Sequence, residues 1–194
     1  MNLADIHARR RPGRRVAGMA ALLLPFTERG DIAEDAYAQC LQEAWDAGLT
    51  PAVNMDTGYV NLLTDAEQER VLNLARQAAA GRPFVAGAYI EGREGDMADL
   101  YRREIARIAE HGGTPIFFQT ARLHGASPGQ VAGVYARASA EVETAYAFEL
   151  GRMFAPNGEI WADEVFERIL EIPQIKGMKH SSLDRVRELE RLAT

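Results

Sequence analysis

Short apolar runs and amphipathic stretches alternate along the chain almost without interruption. The apolar runs have the length of strands, and the spacing of three and four residues between apolar positions elsewhere predicts helices. The predicted strands are Val16–Phe26, Pro51–Met55, Phe84–Ile90, Pro115–Gln119, Thr144–Glu149 and Gln174–Lys179. A helix is predicted after each strand, over about 32–47, 64–81, 96–111, 127–140, 163–171 and 182–192. Strands and helices that alternate in this order favour a parallel sheet.

Two of the predicted helices begin with a recognisable cap. Thr64 is followed three residues later by Glu67, which is the spacing of a capping box. Ser127 is followed by Pro128 and then Gln130, so that this helix has both a capping box and a proline at its first position. These signals fix two helix starts independently of the apolar pattern.

Two α/β architectures compete for this pattern, a doubly wound open sheet and a closed eight-stranded barrel. The turn after the first strand, Pro25–Gly30, contains no glycine-rich phosphate-binding loop of the kind that open sheets carry. The expected fold is therefore α/β, of the (β/α)8 TIM-barrel type, with about six βα units present in this chain.

A closed barrel of this type usually takes about 250 residues. With 194 residues, either the sequence is part of a longer one, or a partner chain closes the sheet, or the sheet is open. An unclosed parallel sheet leaves strand edges unpaired, so a homo-oligomer is expected.

Composition and charge narrow the class of protein. The chain is 47% hydrophobic and 26% charged, with a net charge of −6, which is ordinary for a globular protein and unfavourable for binding nucleic acid. Arg9–Arg15 is basic and is interpreted as part of a flexible arm over residues 1–15, ahead of a partial barrel domain over 16–194. It lacks a signal-peptide cleavage pattern, and no run of about 18 apolar residues predicts a membrane span. The single cysteine, Cys40, is typical of a reducing cytoplasm.

The last predicted strand carries the strongest candidate for chemistry. By alternation, Ile175, Gly177 and Lys179 share one face, while Lys176 and Met178 share the other. Lys179 lies at the carboxyl end, where barrel enzymes place catalytic groups. Partial burial there would favour the neutral amine that attacks a ketone. The alternative is that Lys179 extends its ammonium into solvent.

Three stretches carry a further pattern. They are Leu22–Thr27 before an acidic turn, Asp56–Gly58 with Leu63–Arg70 after it, and Ile175–Ser182 at the last strand. Together they resemble the dihydrodipicolinate synthase / N-acetylneuraminate lyase family, from about Val16 to Arg191. The resemblance is specific towards both ends of this range and loose from Ala88 to Ile160.

The resemblance implies a class I aldolase-type barrel that needs no metal or other cofactor. Lys179 would form an imine with pyruvate or a related 2-oxo acid. Thr57 would offer its hydroxyl and backbone N–H to the substrate carboxylate, and Gly58 would let the backbone approach closely. The reaction would be an aldol cleavage, a condensation or a dehydration. Read from the residues alone, Thr57-Gly58 is an ordinary turn.

The sequence also departs from the family pattern. The threonine-rich loop reads Met55–Tyr59, and Phe148 occupies the position of the tyrosine that relays protons to the imine, although a phenyl ring cannot exchange a proton. Arg152 resembles, one position out of register, an arginine that binds a second substrate. Another side chain could relay the proton if it lies at the same carboxyl end of the sheet. The candidates at strand or loop ends there are Glu149, Tyr59, Tyr89 and Asp56. Tyr146 is a further candidate if the alignment shifts by two residues.

No spacing of histidine, cysteine and carboxylate residues predicts a metal site, and His180 is expected to face away from Lys179. Three hypotheses follow. The first is a lyase or dehydratase that acts on a 2-oxo acid through Lys179. The second is a barrel relative that associates without turnover. The third is an unrelated barrel enzyme that uses Glu149 and Asp56 as paired carboxylates.

Overall fold

The computed structural model describes residues 3–8, 12–13, 15 and 17–193. The helices are α1 Leu3–Ala8, α2 Glu34–Asp46, α3 Asp65–Ala79, α4 Met97–Glu110, α5 Pro128–Ser139, α6 Asp163–Leu170 and α7 Arg185–Ala193. The strands are β1 Met19–Ala21, β2 Thr50–Val53, β3 Val85–Ala88, β4 Thr114–Phe117, β5 Ala145–Leu150 and β6 Ile175–Ser181. Single turns of 3₁₀ helix follow β2 at Asp56–Gly58 and β4 at Ala121–Leu123.

The strands form one parallel sheet in the order of the sequence, β1-β2-β3-β4-β5-β6. The sheet curls into a half-barrel, so that the chain has the architecture of a partial (β/α)8 barrel, as the sequence predicted. Among the described residues, β1 and β6 each pair with a strand on one side only. Both faces of the curled sheet carry apolar side chains.

The two faces bury two separate groups of side chains. The outer face packs against the helices, and there Phe117 contacts the rings of Tyr101 and Tyr135. The concave inner face carries a smaller cluster made of Ala52, Met55, Val60, Val85, Ile116, Phe118, Phe148 and Leu150. In a barrel this inner face lines the interior, and active sites lie at its end where the strands have their carboxyl ends.

The two capped helix starts are confirmed. Thr64 and Glu67 exchange both hydrogen bonds of a capping box, and so do Ser127 and Gln130, with Pro128 in the first turn. Asp96 caps α4 by accepting from the backbone N–H of Asp99. Local sequence therefore positions these helices well.

The first strand is shorter than predicted. Only Met19–Ala21 pairs with β2, and Val16 lies outside the described residues. Met19 is 47% exposed, so this apolar run is an edge strand and not a buried one. In the predicted N-terminal arm, α1 is described, whereas Arg9–Arg11 and Arg14 lie outside the described residues.

The sixth strand contains a β-bulge that the alternation rule missed. Ala145 pairs with Ile175, but Tyr146 pairs with Gly177, so Lys176 is an extra residue. Ile175 therefore packs in the outer cluster together with Met178, and does not share a face with Lys179 as predicted. From Gly177 onward the alternation holds again.

Candidate active site

Lys179 lies on the inner face, at the carboxyl end of β6. It pairs with Phe148 in the adjacent strand, and its Nζ lies 4.3 Å from the centroid of the Phe148 ring. Phe148 is completely buried in the inner cluster. The face of an aromatic ring attracts an ammonium group, by about 0.5–1 kcal/mol at exposed sites. The burial expected for the amine is not found, because Lys179 is exposed.

Tyr146 lies on the same inner face as Lys179. It is in β5, two residues before Phe148. It pairs with Gly177, and a Cβ added to that glycine would lie 3.4 Å from the tyrosine ring. A side chain at Gly177 would therefore be in ordinary van der Waals contact with the Tyr146 ring, which packs beside the lysine strand. Around Lys179 the inner face thus offers one phenyl ring in direct contact and one phenol further along the strand.

A cavity of about 350 Å³ opens at the carboxyl ends of β2, β3 and β4. Its wall includes Phe118, whose ring lies 5.3 Å from that of Phe148 and 5.6 Å from that of Tyr89. A run of aromatic rings thus connects the lysine to the cavity. Burial, followed by the nearby Glu91 carboxylate, raises the pKa of Tyr89, which also lines the cavity. Tyr89 is therefore held as a neutral phenol.

Asp56 lines the same cavity and is half-buried. Its Oδ1 is buried and makes no hydrogen bond with the residues that the structure describes. A buried polar atom without a partner usually costs about 1–3 kcal/mol. Among the predicted site residues, Asp56 is the one whose unsatisfied group adjoins an open cavity.

The predicted carboxylate-binding loop is a turn that packs on the end of β1. Thr57 donates its hydroxyl proton to the Leu22 carbonyl at 3.2 Å, and a Cβ on Gly58 would lie 3.4 Å from that same oxygen. Tyr59 has a left-handed φ of 60° and its ring lies 6.1 Å from that of Phe26. Three strands, β3 to β5, separate this loop's strand from that of Lys179 in the sheet order.

Glu149 does not join Lys179, because it points to the opposite face of the sheet. It is completely buried and accepts hydrogen bonds from Arg191 at 3.0 and 3.1 Å, from the Trp161 N–H at 2.8 Å, and pairs with His180 at 2.5 Å. The prediction that Glu149 lines the inner mouth is wrong, because its side chain points to the outer face of the sheet. The pairing of Glu149 with Asp56 also fails, since the two lie on different faces.

Arg152 lies just beyond β5 and is exposed; one of its guanidinium nitrogens lies 3.3 Å from Nδ1 of His124. The next residues, Phe154–Asn157, line the cavity, whereas Arg152 itself does not. The structure therefore places Arg152 near the wall of the cavity but not in it.

Two polar residues that sequence reasoning missed hold that wall in place. Gln119, buried two residues beyond the end of β4, accepts from the backbone N–H groups of Leu150 and Glu159 and donates to the Glu159 carbonyl. Asn157 donates to the Gln119 carbonyl at 2.6 Å. For Gln119 the available signal was a polar residue at the end of the apolar stretch predicted as a strand, Pro115–Gln119.

Neither a metal cluster nor a membrane span is found in the described part of the chain. Within the residues that the structure describes, no group of three or more histidine, cysteine and carboxylate side chains lies close enough together to hold a metal ion. No described helix combines the length and the apolar character needed to cross a bilayer.

No family model matches the sequence, and no curated protein matches it. Solved structures do resemble it. Dihydrodipicolinate synthase from Acinetobacter baumannii, in complex with pyruvate, matches with a TM-score of 0.72 at 15% identity, over 91% of this chain and 59% of that one. The synthase from Aquifex aeolicus matches with a TM-score of 0.68 at 22% identity, over 91% and 58%.

N-acetylneuraminate lyase from Mycoplasma synoviae matches with a TM-score of 0.64 at 19% identity, again over 91% of this chain and 58% of that one. The chain thus spans slightly less than two thirds of the length of these proteins. At identities this low the likeness concerns the fold. In fold, this chain is similar to the dihydrodipicolinate synthases and N-acetylneuraminate lyases.

Proposed function

We propose that this protein is a lyase of the class I aldolase type, which binds pyruvate or a related 2-oxo acid as an imine on Lys179. The observation that carries the proposal is the position of Lys179, on the concave face at the carboxyl end of β6, next to the inner aromatic cluster. A solved synthase of similar fold binds pyruvate. The Ile175–Ser182 stretch resembles the imine-forming strand of that family.

The chemistry follows from one amine. The neutral Nζ of Lys179 attacks the ketone carbon of the 2-oxo acid, and water leaves to give an imine. Once protonated, the imine withdraws electrons from the neighbouring carbon, so that a bond to that carbon can break or form. Phe148 cannot carry the accompanying proton. We assign that proton to water, because the rings of Phe148 and Phe118 separate Tyr89 from Lys179.

A second candidate is a relative that binds without turnover. Two observations favour it: a phenyl ring contacts Lys179 where a proton-exchanging group would serve catalysis, and the amine is exposed. In this case a 2-oxo acid could still form the imine, but no carbon–carbon bond would break or form. Imine trapping and product analysis separate the two candidates.

The proposal is tested by incubating the protein with pyruvate and borohydride and measuring its intact mass. The chain contains two lysines, Lys176 and Lys179, and both lie on β6. We expect one reduced pyruvate on the native protein, its loss in Lys179→Ala, and its retention in Lys176→Ala. Failure of the native protein to form an adduct with pyruvate and several other 2-oxo acids would contradict the proposal.

A further inference from the structure

A serine, a histidine and a glutamate are aligned on the outer face of the sheet, away from Lys179. The Ser182 Oγ lies 2.7 Å from Nε2 of His180, and the Nδ1 of that histidine lies 2.5 Å from the carboxylate of Glu149. This is the order of contacts in which a hydroxyl is activated by an imidazole that a carboxylate orients. The Lys179 chemistry uses none of these groups.

The carboxylate is fixed so that it faces the imidazole. Glu149 is held by Arg191 and by the Trp161 N–H, and Arg191 is itself tied to the Trp161 carbonyl and to Asp163. Burial alone would lower the pKa of the Arg191 guanidinium, but its hydrogen bonds to Glu149 and Asp163 raise it. A buried carboxylate held in this way accepts the Nδ1 proton and leaves Nε2 free to accept from Ser182.

The serine sits on a strained turn between a strand and a helix. It follows β6 directly, the next residue, Leu183, has a left-handed φ of 65°, and α7 begins at Arg185. Leucine rarely adopts this conformation, because its Cβ crowds the backbone. A strained strand-to-helix turn is also the device that presents the nucleophile of many hydrolases.

A cavity of about 580 Å³ adjoins His180 between α6 and α7. Its wall is largely apolar, from Phe166, Leu170, Met178 and Leu192, and its charged lining residues are Glu188 and Arg191, of which Arg191 is committed to the ion pair with Glu149. An apolar wall suits the acyl chain of an ester better than a sugar or a phosphate. His180 lines this cavity and has only 11% of its side chain exposed.

We propose that Ser182 is the nucleophile of a second site, which takes the acyl group of a short-chain carboxylic ester. Ser182 Oγ bonds to the acyl carbon while His180 takes the hydroxyl proton, and the departing alkoxide receives that proton and leaves as the alcohol. Water then attacks the acyl-serine, with His180 taking and returning a proton. The carboxylic acid is released and the Ser182 hydroxyl is restored.

The experiment treats the whole protein with a fluorophosphonate and with p-nitrophenyl butyrate. We expect the fluorophosphonate on Ser182 of the native protein, located by peptide mass spectrometry, and release of p-nitrophenol. His180→Gln should slow both reactions by about 100-fold or more, since general-base catalysis contributes about 10²–10⁴. Ser182→Ala should abolish labelling, whereas Ser181→Ala, at the preceding position, should keep it.

The labelling of the native protein tests the proposal by itself. The test therefore remains decisive even if a variant fails to fold. No adduct on the native protein, or an adduct only on another residue, would overturn the proposal. An equal labelling rate in folded His180→Gln would overturn it as well. Lys179→Ala should label normally, so this result and the result of the imine experiment are independent.

Discussion

At the residue scale, the contact between Lys179 and Phe148 bears most directly on the proposed imine chemistry. The amine is placed for bond formation, but the ring beside it cannot move a proton. Phe148→Tyr adds a phenol at that position. We expect this variant to speed the exchange of the methyl protons of pyruvate with deuterium, measured by NMR, because a phenol can shuttle the proton next to the imine.

The comparison needs two controls. Phe148→Tyr with Lys179→Ala should show no accelerated exchange, since the effect requires the imine. Phe148→Leu keeps an apolar side chain and should not exceed the native rate. Equal exchange in Phe148→Tyr and Phe148→Leu would show that proton transfer at this position does not limit the native protein.

The Glu149–Arg191 pair yields a prediction about stability. Glu149 is fully buried and the Arg191 side chain is 6% exposed. Glu149→Ala leaves a buried guanidinium without this partner, so the free energy of unfolding should fall by about 3–5 kcal/mol. Denaturant unfolding followed by circular dichroism measures it. Asp163→Ala removes the exposed partner of the same arginine and should have a much smaller effect, so equal losses would contradict this interpretation.

The sequence could predict the place of Lys179 near the carboxyl end of the sixth strand, but not the direction of Glu149. The apolar run and its end sufficed to place the lysine along the strand, whereas alternation counted from Ile175 failed because of the bulge at Lys176. Glu149 is the last residue but one of an apolar strand, and its burial depends on Arg191, 42 residues later. A local sequence pattern does not contain this pairing. Glu149 was therefore predicted to line the mouth, whereas it is one half of a buried ion pair.

At the element scale, close contacts between neighbouring strands constrain the inner face. A Cβ on Gly87 in β3 would lie 2.2 Å from the Asn54 carbonyl and 2.7 Å from the Phe118 ring. We expect Gly87→Ala to lower the free energy of unfolding by about 1–3 kcal/mol, because the strands must move apart. Thermal or denaturant unfolding measures the change.

Gly133 in α5 offers the matched control. A Cβ there meets nothing within 4 Å. Gly133→Ala should raise the free energy of unfolding by about 0.5–1 kcal/mol, because alanine favours the helix. Equal changes in the free energy of unfolding, in the same direction, would contradict the interpretation that a side chain at Gly87 collides with its neighbours.

The elements themselves were largely predictable, since capping boxes and helical periodicity act over a few residues. Asp96–His111, for example, was predicted and the helix runs from Met97 to Glu110, with Asp96 and His111 as caps. β1 and the β6 bulge were not predictable, because they depend on register with a neighbouring strand. An apolar run alone does not show where pairing stops.

At the scale of the whole molecule, the open sheet leaves apolar surface uncovered. Along α7, Val186, Leu189 and Leu192 are 65%, 46% and 79% exposed, and β6 beside it pairs on one side only among the described residues. Such surfaces drive association. We expect this chain, purified alone, to self-associate as its concentration rises, which sedimentation velocity measures.

Replacing Leu189 and Leu192 with lysine should shift that equilibrium towards one chain. Replacing Arg102 and Arg103 on α4 with lysine provides a control in which the apolar surface is unchanged. A native protein that sediments as a single chain at all concentrations would contradict the prediction that this surface associates.

The central claim is that Lys179, and not the other lysine of the same strand, forms the imine. The most direct measurement is peptide mapping by mass spectrometry of the native protein after treatment with pyruvate and borohydride. We predict reduced pyruvate on Lys179 and none on Lys176. Label on Lys176, label shared equally between the two, or no label on either would contradict the claim.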